Sequence, residues 1–452
     1  MNVVVVGMGE TGRHITSRLV QEGHDVTVVD SDAESLARAE EMFDVLVLKG
    51  HGASSDILNQ IDWDACDLFV AVTNQSEINL ISAIRASRRG AKKVVARADD
   101  LAYFDDERGL VTDMLGIDLV INPFTLVARE IHRIIRSISA LSVEDFADNR
   151  VEVIQLPVEK ETKLLGKPLR SLGLPEGTLI VAIVREGELI VPGGSDILLV
   201  DDDAYIVGLT DRMADVEKLF GRRRRRITRK AMIVGGGTIG LSLAQTLERE
   251  GMDVILVDRD RERCQDLASK LHRTVILNGD GTDAHLLEEE GVGATDVFIA
   301  VSMEDEVNLM ASLLAKDLGA PRCIALVHKP DYTTVCERLG LDVTISPRLA
   351  VAKQVLKYVR EGEVLSYTSI MEGAGEFLEF LVPPAARIAG VPLMDVNFPR
   401  GAVVCAGLGR QGTFVPRGDT TLAPGDRVVV FTTPRVRKDV ELLFKKPLFS
   451  RR

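Results

Sequence analysis

The sequence predicts an α/β protein built from two Rossmann-like, doubly wound parallel sheets, each followed by a small α+β lobe. Three observations carry that prediction. Residues 3–30 and 231–258 repeat one another, and each copy places a GxGxxG segment between a strand-like run and a helical one. Near residues 151 and 377 the apolar pattern then changes to period-two alternation.

The repeat runs VVVVGMGETGRHITSRLVQEGHDVTVVD in the first copy and AMIVGGGTIGLSLAQTLEREGMDVILVD in the second. At one constant offset Gly7, Gly9, Gly12, Gly23 and Asp30 fall on Gly235, Gly237, Gly240, Gly251 and Asp258. With one residue gained, Gly50-His51-Gly52 then matches Gly279-Asp280-Gly281, and Phe69–Thr73 matches Phe298–Ser302. Glu77 and Asn79 recur as Glu306 and Asn308, and residues 119–123 resemble 343–347.

In the first copy the runs 2–6, 25–30, 44–48, 67–72, 93–97 and 118–121 read as strands. Helices should fill most of the gaps, because parallel neighbours need crossovers of about a dozen residues or more. That alternation is the pattern of a doubly wound sheet. Alternation at 151–156 and 377–382 predicts half-buried strands, and the turn residues at 175–177, 185–188, 192–194, 399–401 and 424–426 place antiparallel lobes over 145–220 and 375–445. The expected domains are therefore a nucleotide-binding lobe at 1–140, a small lobe at 141–221, a basic linker at 222–230, a second nucleotide-binding lobe at 231–370 and a second small lobe at 371–452.

Composition narrows the function. The 452 residues carry a net charge of −13, which opposes general affinity for nucleic acid. No apolar run approaches the roughly 18 to 20 residues that cross a bilayer, so a cytosolic chain is expected. Five cysteines without CxxC spacing point to free buried thiols rather than disulfides or zinc. Arg222 to Arg226 form a local basic run, read as a solvated linker or as a contact to an acidic partner or anionic lipid. Asp201-Asp202-Asp203 reads as a solvated turn, with a divalent cation as the alternative.

Each glycine segment carries a mechanism. Gly7 and Gly235 permit the strand-to-helix turn, Gly9 and Gly237 admit a pyrophosphate, and Gly12 and Gly240 let helix and strand pack. The intervening Met8 and Gly236 complete the loops. Backbone N–H groups of Glu10-Thr11 and Thr238-Ile239 would face phosphates at the positive helix end. Asp30 and Asp258 stand where a carboxylate accepts ribose hydroxyls and repels a 2′-phosphate, although Arg259 beside Asp258 weakens that exclusion. Ligands in such sheets cross the carboxyl ends of the strands, so His51 and Asp280 should border the adenine. Thr73-Asn74, Ser302-Met303 and Arg97 should reach the distal ribose or phosphates. No residue set for catalysis emerges: the seven histidines are scattered and no HExxH or GxSxG occurs.

Val3–Gly12 with Val29-Asp30, Gly50-His51-Gly52 and Ala71–Asn79, taken with the tandem layout, resemble the TrkA family of potassium-uptake regulators and, more broadly, the RCK domains that regulate potassium conductance. The resemblance implies an N-lobe, C-lobe, N-lobe, C-lobe order and binding of NAD(H) and/or ATP/ADP. It further implies a homo-oligomeric ring, a tetramer, that docks on a Trk-type potassium-translocating membrane subunit at the inner face of the membrane. By resemblance the site residues are Gly7 to Thr11, Asp30, Thr73-Asn74 and Arg97-Ala98, then Gly235 to Ile239 and Asp258. Two departures stand out: Glu10 is acidic where phosphates should sit, and Asp280 replaces His51. The alternatives are an NAD-dependent oxidoreductase with a duplicated Rossmann unit and a regulator of another ion transporter.

Overall fold

Valines 3 to 6 put side chains into both faces of one sheet, Val3 and Val5 into one core and Val4 and Val6 into the other. A continuous apolar run of this kind is what a strand covered on both sides requires. In the computed structural model, which describes residues 1–100, 115–136, 141–160, 162–220, 229–329, 331–360, 364–410 and 412–445, this run is β1 (Asn2–Val6). It is followed by α1 (Glu10–Gln21), β2 (Asp25–Asp30), α2 (Ala33–Met42), β3 (Leu46–Lys49), α3 (Ser55–Leu58), β4 (Cys66–Ala71), α4 (Ser76–Arg89), β5 (Val94–Arg97), β6 (Leu119–Ile121) and α5 (Pro123–Arg136). All strand pairs are parallel, in the order β3-β2-β1-β4-β5-β6. The order reverses between β1 and β4, where a doubly wound sheet opens its ligand crevice.

The first small lobe comprises β7 (Ser142–Phe146), β8 (Val151–Pro157), β9 (Thr178–Arg185), β10 (Glu188–Ile190), β11 (Asp203–Leu209) and α6 (Met213–Leu219). The second parallel-sheet lobe follows: β12 (Lys230–Val234), α7 (Thr238–Arg249), β13 (Asp253–Asp258), α8 (Arg261–Lys270), β14 (Val275–Asn278), α9 (Ala284–Glu289), β15 (Val297–Ala300), α10 (Asp305–Asp317), β16 (Cys323–Leu326), α11 (Asp331–Arg338), β17 (Val343–Ile345) and α12 (Pro347–Arg360). Its order, β14-β13-β12-β15-β16-β17, repeats the first. The chain ends in a second small lobe of β18 (Ser366–Ile370), β19 (Gly375–Leu381), β20 (Ala402–Gly409), β21 (Gly412–Phe414), β22 (Arg427–Thr432) and α13 (Arg437–Phe444). The two antiparallel sheets run β7-β8-β11-β9-β10 and β18-β19-β22-β20-β21, the same topology.

Contacts divide the chain into two compact units, each pairing like lobes: Met1–His132 with Arg229–Val359, and Arg133–Thr228 with Arg360–Arg452. In the first unit α12 leaves its own sheet and buries Val351, Ala352 and Val355 in the core with Val3, Val5, Leu68 and Val70. Reciprocally, α5 reaches the second repeat, where His132 Nε2 lies 2.8 Å from Glu250 Oε1.

In the second unit the expectation of half-buried strands fails. β8 is buried at Val151 to Ile154 and β19 at Gly375 to Phe380. Ile154 and Leu156 face the core of their own lobe, whereas Val151 and Val153 join Phe377, Val429 and Phe431 in a core shared by both small lobes. The alternating glutamates do not mark a wet face. Glu379, 1% exposed, accepts from Arg427 Nε at 2.7 Å, and Glu376 lies 3.8 Å from Arg437. β7 and β18 also begin earlier than the alternation indicated.

Asp202 is another correction. Rather than a solvated turn residue it is 1% exposed, held by Arg185 through two 2.8 Å hydrogen bonds and by Leu199 N–H. Burial pushes its carboxyl up, but Arg185 and Leu199 outweigh burial and leave it below the usual range. Among the described residues no group of three or more His, Cys, Asp or Glu could hold a metal, and no helix is long and apolar enough to cross a membrane. All five cysteines are buried and none is in a disulfide. Arg222 to Arg226 lie outside the described residues.

Candidate functional site

The strand-to-helix loops are built by contacts only glycine allows. Gly7 has φ +101°, and a Cβ on Gly12 would lie 1.8 Å from Gly7 O; Gly235, at +105°, and Gly240 repeat the arrangement. Gly9 and Gly237 differ, having ordinary extended backbone and no atom within 4 Å of a would-be Cβ. They are N-caps of α1 and α7 and offer no capping side chain, whereas Asp32, Asp260 and Asp283 cap α2, α8 and α9. The first-turn N–H groups of α1 and α7 are thus left for an anion.

Asp30 and Asp258 shape these loops. Asp30 accepts from Met8 N–H at 2.6 Å and Asp32 N–H at 2.9 Å; Asp258 accepts from Gly236 N–H at 2.7 Å and Asp260 N–H at 2.8 Å. A carboxylate has about four lone pairs, so each keeps capacity for a ribose. Asp258 keeps less, being 6% exposed and 3.4 Å from Arg263, a residue the sequence reading passed over.

A buried asparagine orders the distal side of each site. Asn79 accepts from Thr73 N–H and hydroxyl at 2.9 and 2.7 Å and donates to Thr73 O and Arg97 O, both at 3.0 Å. Asn308 likewise accepts from Ser302 N–H and donates to Ser302 O and Leu326 O, while the Ser302 hydroxyl turns to Glu304 O. The recurrence of Asn79 and Asn308 in sequence is therefore a positioning device. His51 Nδ1 accepts from Ala53 N–H at 3.3 Å, and Asp280 holds the matching turn through Thr282 N–H and hydroxyl, which keep its carboxyl below the usual range. Glu10 is ion-paired with Arg13, which offsets its charge beside the loop.

Each repeat opens on a cavity. The first, of ≈ 680 Å³, is bordered by Gly7, Gly9, Glu10, Thr11 and Asp30, and across the crevice by His51, Thr73, Asn74 and Arg97. The second, of ≈ 280 Å³, is bordered by Gly235, Gly237, Thr238, Ile239 and Asp258, and across it by Arg259, Asp280, Ser302 and Met303. Sites for organic ligands usually measure about 300–1,000 Å³. Five expected residues border neither cavity. Met8 is fully buried and Gly236 turns its N–H to Asp258; Gly12 and Gly240 pack beneath their loops; Ala98 is buried with its N–H on Ile121 O.

The first cavity also receives His328, Pro347 and Arg348 from the second repeat, and the second receives Phe124 from the first. His328 Nδ1 lies 2.8 Å from Asp305 Oδ1, and its buried Nε2 has no hydrogen-bond partner among the described residues. Burial pushes the Asp305 carboxyl up, but His328 and Lys329 N–H outweigh it and hold the group low. Uncapped helix N-termini, open space at Gly9 and Gly237, carboxylates at the ends of β2 and β13 and this orphaned nitrogen all suit a phosphate-bearing nucleotide.

The TrkA-N domain matches residues 3–123 and 231–347, and the TrkA-C domain matches 153–221 and 377–445. A Trk system potassium uptake protein TrkA homolog 1 from Methanosarcina mazei is 36% identical over 455 residues, 98% of this chain and 100% of that protein. A TrkA homolog from Archaeoglobus fulgidus is 34% identical over 446 residues, again 98% of this chain and 100% of its own length. Among solved structures, the GsuK channel bound to NAD superposes with a TM-score of 0.60 at 19% identity, covering 98% of this chain and 79% of that one, a likeness of fold. The chain therefore belongs to the TrkA family and carries both of its domains twice.

Proposed function

We propose that this chain is a nucleotide-sensing regulatory subunit of a Trk-type potassium uptake system. It binds NAD(H) or ATP/ADP at its two sites and passes the bound state to a potassium-translocating membrane partner. The carrying observation is the pair of uncapped helix N-termini, each opening on a cavity with a carboxylate at the end of the neighbouring strand. The names of its relatives, which are potassium uptake proteins, supply the transport context. The chain acts as a ring, with four copies the reading by resemblance, at the inner face of the membrane. Gly9 to Thr11 and Gly237 to Ile239 hold phosphates, Asp30 and Asp258 the adenosine ribose. A ligand shifts the ring only if it binds two conformations with different affinity.

A second reading, an NAD-dependent oxidoreductase, rests on one observation. His328, paired with Asp305 and with Nε2 unpartnered, has the arrangement of a general base oriented by a carboxylate. One experiment separates the two. The full chain is titrated calorimetrically with NADH, NAD, ATP and ADP while NADH absorbance is followed in the presence of a panel of small carbonyl compounds as hydride acceptors, beside Gly9→Asp and Gly237→Asp. Both glycines have backbone any residue adopts and room for a side chain, so folding should survive while each variant silences its own site. Binding without turnover, lost site by site, supports sensing. Turnover would establish the second reading, and failure of the wild type to bind any of the four ligands would sink both.

A further inference from the structure

We infer that Arg348, supplied by the second repeat, reads terminal phosphate charge in the first site. This rests on the nucleotide-binding reading above and adds which residue discriminates among nucleotides. The placement follows from helix exchange. With Val351, Ala352 and Val355 of α12 buried against β1 and β4, Lys353 4.0 Å from Glu130 and the Lys93 ammonium 4.9 Å from the Tyr358 ring, the start of α12 has one place to go. Pro347 and Arg348 border the first cavity. Their counterparts at the start of α5 are Pro123 and Phe124, and Phe124 borders the second cavity. Each site therefore receives the equivalent position of the other repeat, Arg348 in the first and Phe124 in the second, and Phe124 borders the first cavity as well.

Charge accounting singles out Arg348. Arg97 is held by Asp99 through two 2.7 Å hydrogen bonds, and His328 is paired with Asp305. Arg348 has no ion-pair or hydrogen-bond partner among the described residues, and it is the guanidinium at the first cavity left to meet a ligand. In the second cavity Arg259 is paired with Glu304 and Arg263 lies 3.4 Å from Asp258. The position of Arg97 is there filled by Leu326, which is buried.

Geometry gives the ligand class. A nucleotide seated with its ribose at Asp30 and its first phosphates at Gly9 extends toward β4 and β5. Arg97 ends β5 and Asp99 follows it, and both border the same cavity as Arg348. An unpaired guanidinium there matches the planar, bidentate recognition of a terminal phosphate. The preferred ligand of the first site is thus a nucleoside di- or triphosphate over the monophosphate.

The test uses the full chain in a Gly237→Asp background, which leaves the first site alone to titrate. ATP, ADP and AMP are measured with Arg348 intact, with Arg348→Ala and with Arg348→Lys. A charge-assisted hydrogen bond to phosphate corresponds to a loss of roughly ten- to a hundredfold. Arg348→Ala should lose that much for ATP and ADP and almost nothing for AMP, with Arg348→Lys recovering part of it. An equal loss for all three ligands, or none, would overturn the inference and leave nucleotide sensing standing. Absence of binding with Arg348 intact would overturn nucleotide sensing at this site, and the inference with it.

Discussion

Asn79 shows how much a single side chain can organise. Fully buried, it bonds the backbone after β4 and the last carbonyl of β5, so that Thr73 and Arg97 are fixed relative to one another. Asn79→Ala leaves Thr73 N–H and Arg97 O without a partner. Each stranded buried group costs about 1–3 kcal/mol. Chemical denaturation should show a loss of about 2–6 kcal/mol for the two together, with weaker ligand binding at the first site; a variant as stable as wild type would contradict the role. The residue was visible in sequence as a recurrence with Asn308, but not its purpose, because Asn79 lies on α4 and its partner Arg97 on β5. The glycines were easier, since their spacing encodes local backbone geometry. Met8, Gly236 and Ala98 were read by adjacency to a motif, and adjacency does not say which way a residue faces.

At the scale of elements, the parallel strands were legible because burial on both faces leaves an uninterrupted apolar run, as in Val3–Val6. The small-lobe strands misled for the converse reason. Charged residues on β8 and β19 suggest a wet face, yet Glu152, Glu376 and Glu379 are buried against arginines. Phe377 sits at the centre of the shared core, its ring 6.2 Å from Phe146 and 5.0 Å from Phe431. Phe377→Ala should destabilise by about 3–5 kcal/mol in equilibrium unfolding. A cost below about 1 kcal/mol would restore the half-buried reading. The exchange of α12 had no sequence signature, because an apolar helix face does not name the sheet it covers.

Across the whole molecule, duplication has produced two like sites with unlike chemistry. The first is larger and takes Arg348 and His328 from the other repeat; the second is smaller, takes Phe124 and pairs its arginines internally. Sequence comparison of the halves foretold a difference through Glu10 and Asp280, but its principal source lies in residues brought across between repeats. The surface for the proposed membrane partner had no motif, since its complement would be encoded in another chain. A tenfold difference in nucleotide affinity between two conformations of the protein is worth about 1.4 kcal/mol per site. The most direct test is potassium flux through a Trk-type membrane subunit in proteoliposomes, with this protein and nucleotide added to the same side. Flux should respond to nucleotide with the wild-type chain and lose that response with the Gly9→Asp/Gly237→Asp double variant. Flux that ignores nucleotide with the wild type, or that responds equally with the double variant, would contradict the account.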